Sequence, residues 1–190
     1  KVAGKPLFRH LLDKLSKCKF DEVFVDSDSK EIQNYCKKRN YTFIKRLPKL
    51  AKDNANGNDL LNYHLKILKA DYYFQLFVTS PFLSIKSIND CINILKRNKK
   101  IDSIFTVKKI YSWFWFNNKT VNYKPKVLPR SQDAKPIIQE TTGLYGIKRK
   151  SLKKNKCRIG TKPFMYEVDE KEAVDIDSYK DFELFKYYAK

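Results

Sequence analysis

Two carboxylates one residue apart, Asp175 and Asp177, are the part of this sequence best suited to chemistry. In an extended segment, side chains at i and i+2 point to the same face. Both acids would then face one way while Ile176 packs behind them. Such a pair beside a helix start suits a hard divalent cation held against phosphates. The same residues also read as a solvated turn with a capping Asp. The next residues, SYKDFELFKYY, have helical apolar spacing, and Asp177 or Ser178 can cap them.

Other polar groups fall where strands should end. They are Asp26-Ser27-Asp28, Arg46 with the loop 54–58, Thr79-Ser80, and Arg130 with Gln132-Asp133. These are phosphate, amide and metal chemistries without a strong general acid–base candidate. They suit phosphoryl or nucleotidyl transfer, where positioning and charge neutralisation do most of the catalysis. Each has a plainer reading. Asp26 and Asp28 could cap the following helix, Arg46 and Arg130 could be solvated, and Trp113 and Trp115 are more often core or interface.

The elements that must position these groups alternate. Pro6 opens a helix with apolar Leu7, Phe8, Leu11, Leu12 and Leu15, running to 18. Strands are expected over 22–27 and 41–45, around a helix over 29–39. After a polar loop over 46–58, a helix is expected over 59–68. YYFQLFV (72–78) is a continuous apolar run typical of a strand covered on both faces. A helix over 85–97 and a strand over 103–107 follow, and this rhythm reads as α/β with a largely parallel sheet. The rhythm then breaks. Residues 110–124 read as a hairpin turning at Asn117-Asn118, with aromatics in succession, so that one face awaits cover or a partner chain. Residues 125–142 read as an irregular loop. A strand over 143–148, a short helix near Ser151, a strand around 164–168 and a last helix to about 188 complete the chain.

The 190 residues suggest one domain, and 42% hydrophobic residues are enough for a full core. The net charge of +19 would suit nucleic acid or an anionic membrane. The excess is nearly all Lys, however, and is spread along the whole chain beside many Asn, Ile, Tyr and Phe. That pattern favours compositional drift. No apolar run approaches a membrane span. Cys18, Cys36, Cys91 and Cys157 show no metal spacing and fit a reducing cytoplasm. No Ser-His-Asp or Cys-His constellation accompanies His10 and His64.

Six stretches, in this order and spacing, resemble the acylneuraminate cytidylyltransferase family, the CMP-sialic acid synthetases. They are AGKPLF (3–8), EVFVDSDSKEI (22–32), RLPKLAKDNA (46–55), QLFVTSPFL (75–83), LPRSQDAKPIIQETTGLYGI (128–147) and EAVDIDSYKDFE (172–183). The resemblance implies one domain over 1–190 with a three-layer α/β/α, Rossmann-like nucleotide-diphospho-sugar transferase fold. Its sheet would be mixed and mostly parallel, and 110–142 would form a β-hairpin arm that crosses to the neighbour of a homodimer. It implies a Mg²⁺-dependent, cytoplasmic enzyme that couples CTP to a nonulosonic acid and releases pyrophosphate. Neither a membrane nor nucleic acid is expected as a partner. By the same resemblance Asp175 and Asp177 match the metal pair, with Asp177 also a base toward the sugar hydroxyl. Arg46, Ala55, Asn56 and Gly57 match the cytidine loop, Thr79 and Ser80 the substrate turn, and Arg130, Gln132 and Glu140 the sugar and partner-subunit segment, where a guanidinium could pair with the sugar carboxylate.

There are departures. The family's first strand and Gly-rich phosphate loop would lie ahead of Lys1. Phe77 stands for a polar Gln, and Phe82-Leu83 for Leu-Arg. These changes, with SQDAKP, favour a legionaminic- or pseudaminic-type sugar over N-acetylneuraminate. Three alternatives stay open: a cytidylyltransferase for another acceptor such as the eight-carbon Kdo, a non-catalytic basic nucleic-acid-binding module, and a degenerate homologue that keeps only the fold.

Overall fold

The computed structural model describes residues 1–189. Helix α1 (Leu7–Leu15) forms behind Pro6 and buries the stripe Phe8, Leu11, Leu12 and Leu15. It is followed by β1 (Phe24–Ser27), α2 (Lys30–Arg39), β2 (Thr42–Lys45), α3 (Gly57–Ile67), β3 (Tyr72–Leu76), α4 (Ile85–Arg97) and β4 (Ser103–Ile110). The hairpin is β5 (Trp115–Phe116) and β6 (Lys119–Thr120). Then come β7 (Ile137–Lys148), α5 (Arg149–Asn155), β8 (Pro163–Glu167) and α6 (Tyr179–Tyr188).

The main sheet has the order β3-β7-β4-β8, with β7 antiparallel to both neighbours and β4 parallel to β8. Strands β1 and β2 form a separate parallel pair. Strands β3, β4 and β8 run one way and β7 the other, so the sheet is mixed and mostly parallel in strand direction, as expected. Side-chain alternation then gives the three layers. One face of the sheet packs with Leu11, Leu12, Ile88, Ile92 and Leu95 of α1 and α4, together with Cys36 of α2. The other face meets Leu61 and Leu65 of α3 and Leu152 of α5.

The structure differs from the sequence reading at β7. Residues 137–142 are not loop: they extend the strand backward and pair with β4 through Val107↔Glu140 and Ile110↔Ile137, beyond a bulge between Phe105 and Val107. The run PIIQETT lacks alternation, so its strand character was hidden. The bulge at Thr106 lets the Thr141 hydroxyl donate to the Thr106 hydroxyl at 2.7 Å inside the sheet. The hairpin turn is as expected: Asn117 and Asn118 have φ of 47° and 59°, the geometry of a type I′ turn.

Each of β1 and β3 has one paired edge, toward β2 and β7 respectively. Between them lies a cavity of about 760 Å³, walled by both strands and by Leu61, Ile92 and Phe20. Among the described residues, no helix is long and apolar enough to cross a membrane. The four cysteines are free thiols, with Cys36 and Cys91 buried.

Candidate functional site

The acid pair is fixed from two sides. Glu172 accepts from the Ser84 amide at 3.1 Å and the Ser87 hydroxyl at 2.6 Å, so its carboxylate sits on the first turn of α4, where the helix dipole favours a negative charge. Four residues later the Ile176 amide donates to the Thr79 carbonyl at 2.9 Å. Residues 173–177 are thus held against the turn that ends β3. They do so without forming a strand of their own, which corrects the strand expected there. The cap of α6 is Ser178, in a reciprocal capping box with Asp181, so Asp177 is left free of that duty.

Asp175 and Asp177 are near enough for the charge of one to act on the other. The charge of Asp175, and then burial, push the Asp177 carboxyl above the usual carboxylate range. Asp175 Oδ2 accepts from the Thr142 hydroxyl of β7, which lies 3.4 Å from the Ser80 hydroxyl. Asp175 Oδ1 is buried with no hydrogen-bond partner. An orphaned carboxylate oxygen beside a second acid is the donor set a hard cation needs. No cluster of three or more His, Cys, Asp or Glu suited to a metal occurs among the described residues. The pair suits an ion that takes its remaining ligands from substrate phosphates and water, as Mg²⁺ commonly does.

A second cluster lies on the face of the sheet that carries α3. Asn56 caps α3 through a capping box with Asp59. Gly57 begins the helix, and its carbonyl accepts from Gln75 Nε2 at 3.0 Å. Here Arg158 lies with its guanidinium carbon 3.6 Å from the Tyr145 ring centroid and 5.8 Å from that of Phe77. Its Nη2 is 3.5 Å from Glu140 Oε1, which also accepts the Tyr145 hydroxyl. Burial and the bond to Glu140 push the Tyr145 phenol well above its ordinary range, against the pull of Arg158.

Arg46 has a different setting from the other expected residues. Its Nε donates to Asp26 Oδ1 at 2.7 Å, its Nη2 donates to the Asp26 carbonyl at 2.9 Å, and His64 Nε2 lies 2.6 Å from Asp26 Oδ2. Burial pushes the Asp26 carboxyl up, but the bonds from His64 and Arg46 outweigh it and hold it below its usual range. The cap of α2 is Ser29, so the capping role considered for Asp26 is not the one it has. Ala55 lines a shallow hollow with Asn54 and Lys66. Arg130 is three-quarters exposed and pairs with Asp133 at 2.6 Å, within one turn that also holds Gln132. No hydrogen bond or ion pair ties Arg130 or Gln132 to the acid pair among the described residues.

Asp175, Asp177, Thr79, Ser80 and Thr142 are thus brought together, and Asn56, Gly57 and Glu140 gather around Arg158. Sequence reasoning missed Thr142, Tyr145, Gln75 and Arg158. The only signal for Arg158 was an arginine in the Lys-rich run KKNKCRIGTK.

Comparison with known proteins gives this arrangement a family. The whole chain, residues 1–190, matches the family described as Cytidylyltransferase. Among curated proteins, a Helicobacter pylori protein named as both a pseudaminic acid cytidylyltransferase and a UDP-2,4-diacetamido-2,4,6-trideoxy-beta-L-altropyranose hydrolase is 26% identical over 95% of the chain. N-acylneuraminate cytidylyltransferase A of Danio rerio is 23% identical over 83% of the chain, and the Streptococcus agalactiae N-acylneuraminate cytidylyltransferase is 21% identical over 95%. The chain spans 37%, 38% and 46% of the length of these relatives. Among solved structures, a CMP:2-keto-3-deoxy-manno-octonic acid synthetase complexed with CTP aligns with TM-score 0.70 at 15% identity, covering 99% of this chain and 89% of that one. The 4-diphosphocytidyl-2C-methyl-D-erythritol synthase of Anaerococcus prevotii aligns with TM-score 0.71 at 15% identity, covering 99% and 87%. These two likenesses show the nucleotidyltransferase fold.

Proposed function

The chain belongs to the cytidylyltransferase family, and from that premise we propose that it transfers the cytidylyl group of CTP to the anomeric hydroxyl of a nonulosonic acid. The hydroxyl oxygen bonds to the α-phosphorus, the bond from that phosphorus to the bridging oxygen breaks, and pyrophosphate leaves. The names of the curated relatives support a sialic- or pseudaminic-type acceptor. The observation that carries the reading is the coupled pair Asp175 and Asp177, with Asp175 Oδ1 lacking a partner at the carboxyl end of β3. Ligands of open α/β sheets sit at that end.

The pair would hold Mg²⁺, which when bound offsets phosphate charge. The chain's own residues do the rest. Thr142 holds one carboxylate oxygen in place, and the Thr79 carbonyl fixes the backbone between the two acids. Asp177, the more exposed acid, is the group placed to take the proton of the attacking hydroxyl.

The test is Asp175→Asn in the full-length protein, assayed for pyrophosphate release with CTP, Mg²⁺ and a panel of sialic, pseudaminic, legionaminic and eight-carbon sugar acids. Turnover should fall by about 100-fold or more, the scale of losing a charge-stabilising group, with the melting temperature nearly unchanged. Undiminished turnover would refute the assignment. The preferred sugar acid in the panel fixes the acceptor.

A further inference from the structure

Lys14 lies in the last turn of α1, whose stripe of Phe8, Leu11, Leu12 and Leu15 fastens that helix to the core. It is half-buried, and its ammonium donates to the Pro81 carbonyl and to the Leu83 carbonyl, each at 2.7 Å. Both acceptors belong to the turn between β3 and α4, outside any helix or strand. Burial lowers the pKa of the ammonium from the ordinary lysine value, against the pull of the Glu172 charge. A cation withdrawn from water onto two neutral carbonyls costs free energy that an exposed lysine avoids. What the turn carries accounts for its being there.

The acid pair hangs from that turn. The Thr79 carbonyl accepts the Ile176 amide at 2.9 Å, between the two acids. The Ser80 hydroxyl is 3.4 Å from the Thr142 hydroxyl, which donates to Asp175. The Ser84 amide donates to Glu172 at 3.1 Å. Residues 79, 80 and 84 therefore hold the segment 172–177, and the Lys14 bonds fall at 81 and 83, between those points. The segment has no strand pairing of its own, so its position is only as fixed as the turn. Phe82 of the turn also packs on Phe185 of α6, the helix that follows Asp177, with ring centroids 5.4 Å apart. Leu83, fully buried in the same cluster as Leu11 and Leu12, is the apolar tie of the turn to α1, and Lys14 is its polar one.

We propose that Lys14 is a positioning residue of the transfer reaction: by bridging the Pro81 and Leu83 carbonyls it fixes the turn on which Asp175 and Asp177 are mounted, and so sets the affinity of that pair for the divalent cation. This rests on the cation role given to the pair above. Two neighbouring carboxylates repel one another before an ion arrives, and a turn free to shift lets them part. The ammonium bonds to neither acid. Its influence passes through the Thr79 carbonyl, the Ser80 and Thr142 hydroxyls and Glu172.

The experiment measures by calorimetry the Kd of the full-length protein for CTP with Mn²⁺ as the probe cation, and for CTP with EDTA. No sugar acid is present, so nothing turns over. The ratio of the two constants is the coupling between cation and nucleotide. Asp175→Asn should bring this ratio close to one. Lys14→Met should lower it by about 10-fold, the low end for groups that orient metal ligands from behind, with Kd in EDTA within about twofold of the unaltered protein. Lys14→Arg keeps the charge and the donors and should restore part of the ratio. Adding Lys14→Met to Asp175→Asn should cost nothing further, because the lysine acts through the pair. An unchanged ratio in Lys14→Met, or equal weakening with Mn²⁺ and with EDTA, overturns the proposal and leaves the cation role of the pair standing. If Lys14→Met does not fold, Lys14→Arg takes its place, and the same two outcomes decide. An unaltered protein that binds CTP equally well with Mn²⁺ and with EDTA overturns that role and this proposal together.

Discussion

Asp102→Ala is the perturbation whose size the structure fixes best. The carboxylate is partly exposed and anchors the loop that carries Arg158, collecting bonds from the Thr161 amide, the Thr161 hydroxyl and the Lys162 amide, with the Ser103 hydroxyl at 3.1 Å and the Ser151 hydroxyl at 3.3 Å. Burial pushes its carboxyl up, but the bonds from Lys162, Thr161 and Ser103 outweigh that and hold it below its usual range. Bonds to a charged group contribute about 1.5–3 kcal/mol each when isolated, but they share one acceptor and water reaches the vacated site. A net loss of about 2–4 kcal/mol is therefore expected at pH 7, or a fall in Tm of roughly 4–16 °C for a chain of this size. Because the folded pKa lies below the unfolded one, this contribution is complete above the unfolded value. It fades as pH falls through the folded value. Denaturant unfolding of both proteins at pH 7 and at about pH 3 should show the difference between them shrinking on the acid side. A difference that is absent at pH 7, or that grows in acid, refutes the anchoring argument.

Two further outcomes follow from packing and exposure. A Cβ on Gly146 would lie 2.5 Å from Phe74 and 2.8 Å from Ile104, both in the sheet, so Gly146→Ala should destabilise by about 1–3 kcal/mol through overpacking; an unchanged denaturation midpoint would show that the neighbours yield freely. The hairpin presents Trp115 at 60% and Phe116 at 71% exposure, more apolar surface than a solitary arm would leave in water. The proposed homodimer is then expected to sediment as a dimer, and a Trp115→Ser, Phe116→Ser double variant as a monomer. A monomeric unaltered protein refutes the role given to the arm.

Features that depend on local spacing were legible in the sequence. Phe8, Leu11, Leu12 and Leu15 mark one helix face, Asn117-Asn118 a type I′ turn, and Ser178 a cap three residues before Asp181. The pairing of Asp175 with Asp177 was readable from their spacing, although the segment that carries them is not a strand. Features set by long-range pairing were hidden. Nothing in PIIQETT shows that it reverses direction and lies along β4, because its pairing needs a bulge at Thr106, 35 residues before Thr141 in the chain. Asp26 read as a possible cap because it lies just before α2, whereas Ser29 is the cap and His64, on another helix, has no local mark of the bond it makes to Asp26. Arg158 was hidden by its lysine neighbours; what distinguishes it is Tyr145 beneath it and Asp102 behind its loop, both remote in sequence.

Strand β7 joins these pieces. Within its twelve residues it carries Glu140 and Tyr145, which bracket the Arg158 cation, and Thr142, which holds Asp175. Its first residues, Ile137 and Ile138, pair with Ile110 and Lys109 at the base of the hairpin, and the Asn122 amide ties that hairpin to the Lys135 carbonyl at 2.7 Å. Any load on the arm therefore passes along a paired strand to both halves of the site. The bulge at Thr106 is the one place where the register can give, and the Thr106 hydroxyl is engaged on both sides of it, by Thr141 and by the Leu144 amide at 3.1 Å. A partner subunit that seats the arm would thus set the spacing between the acid pair and the cation without touching either.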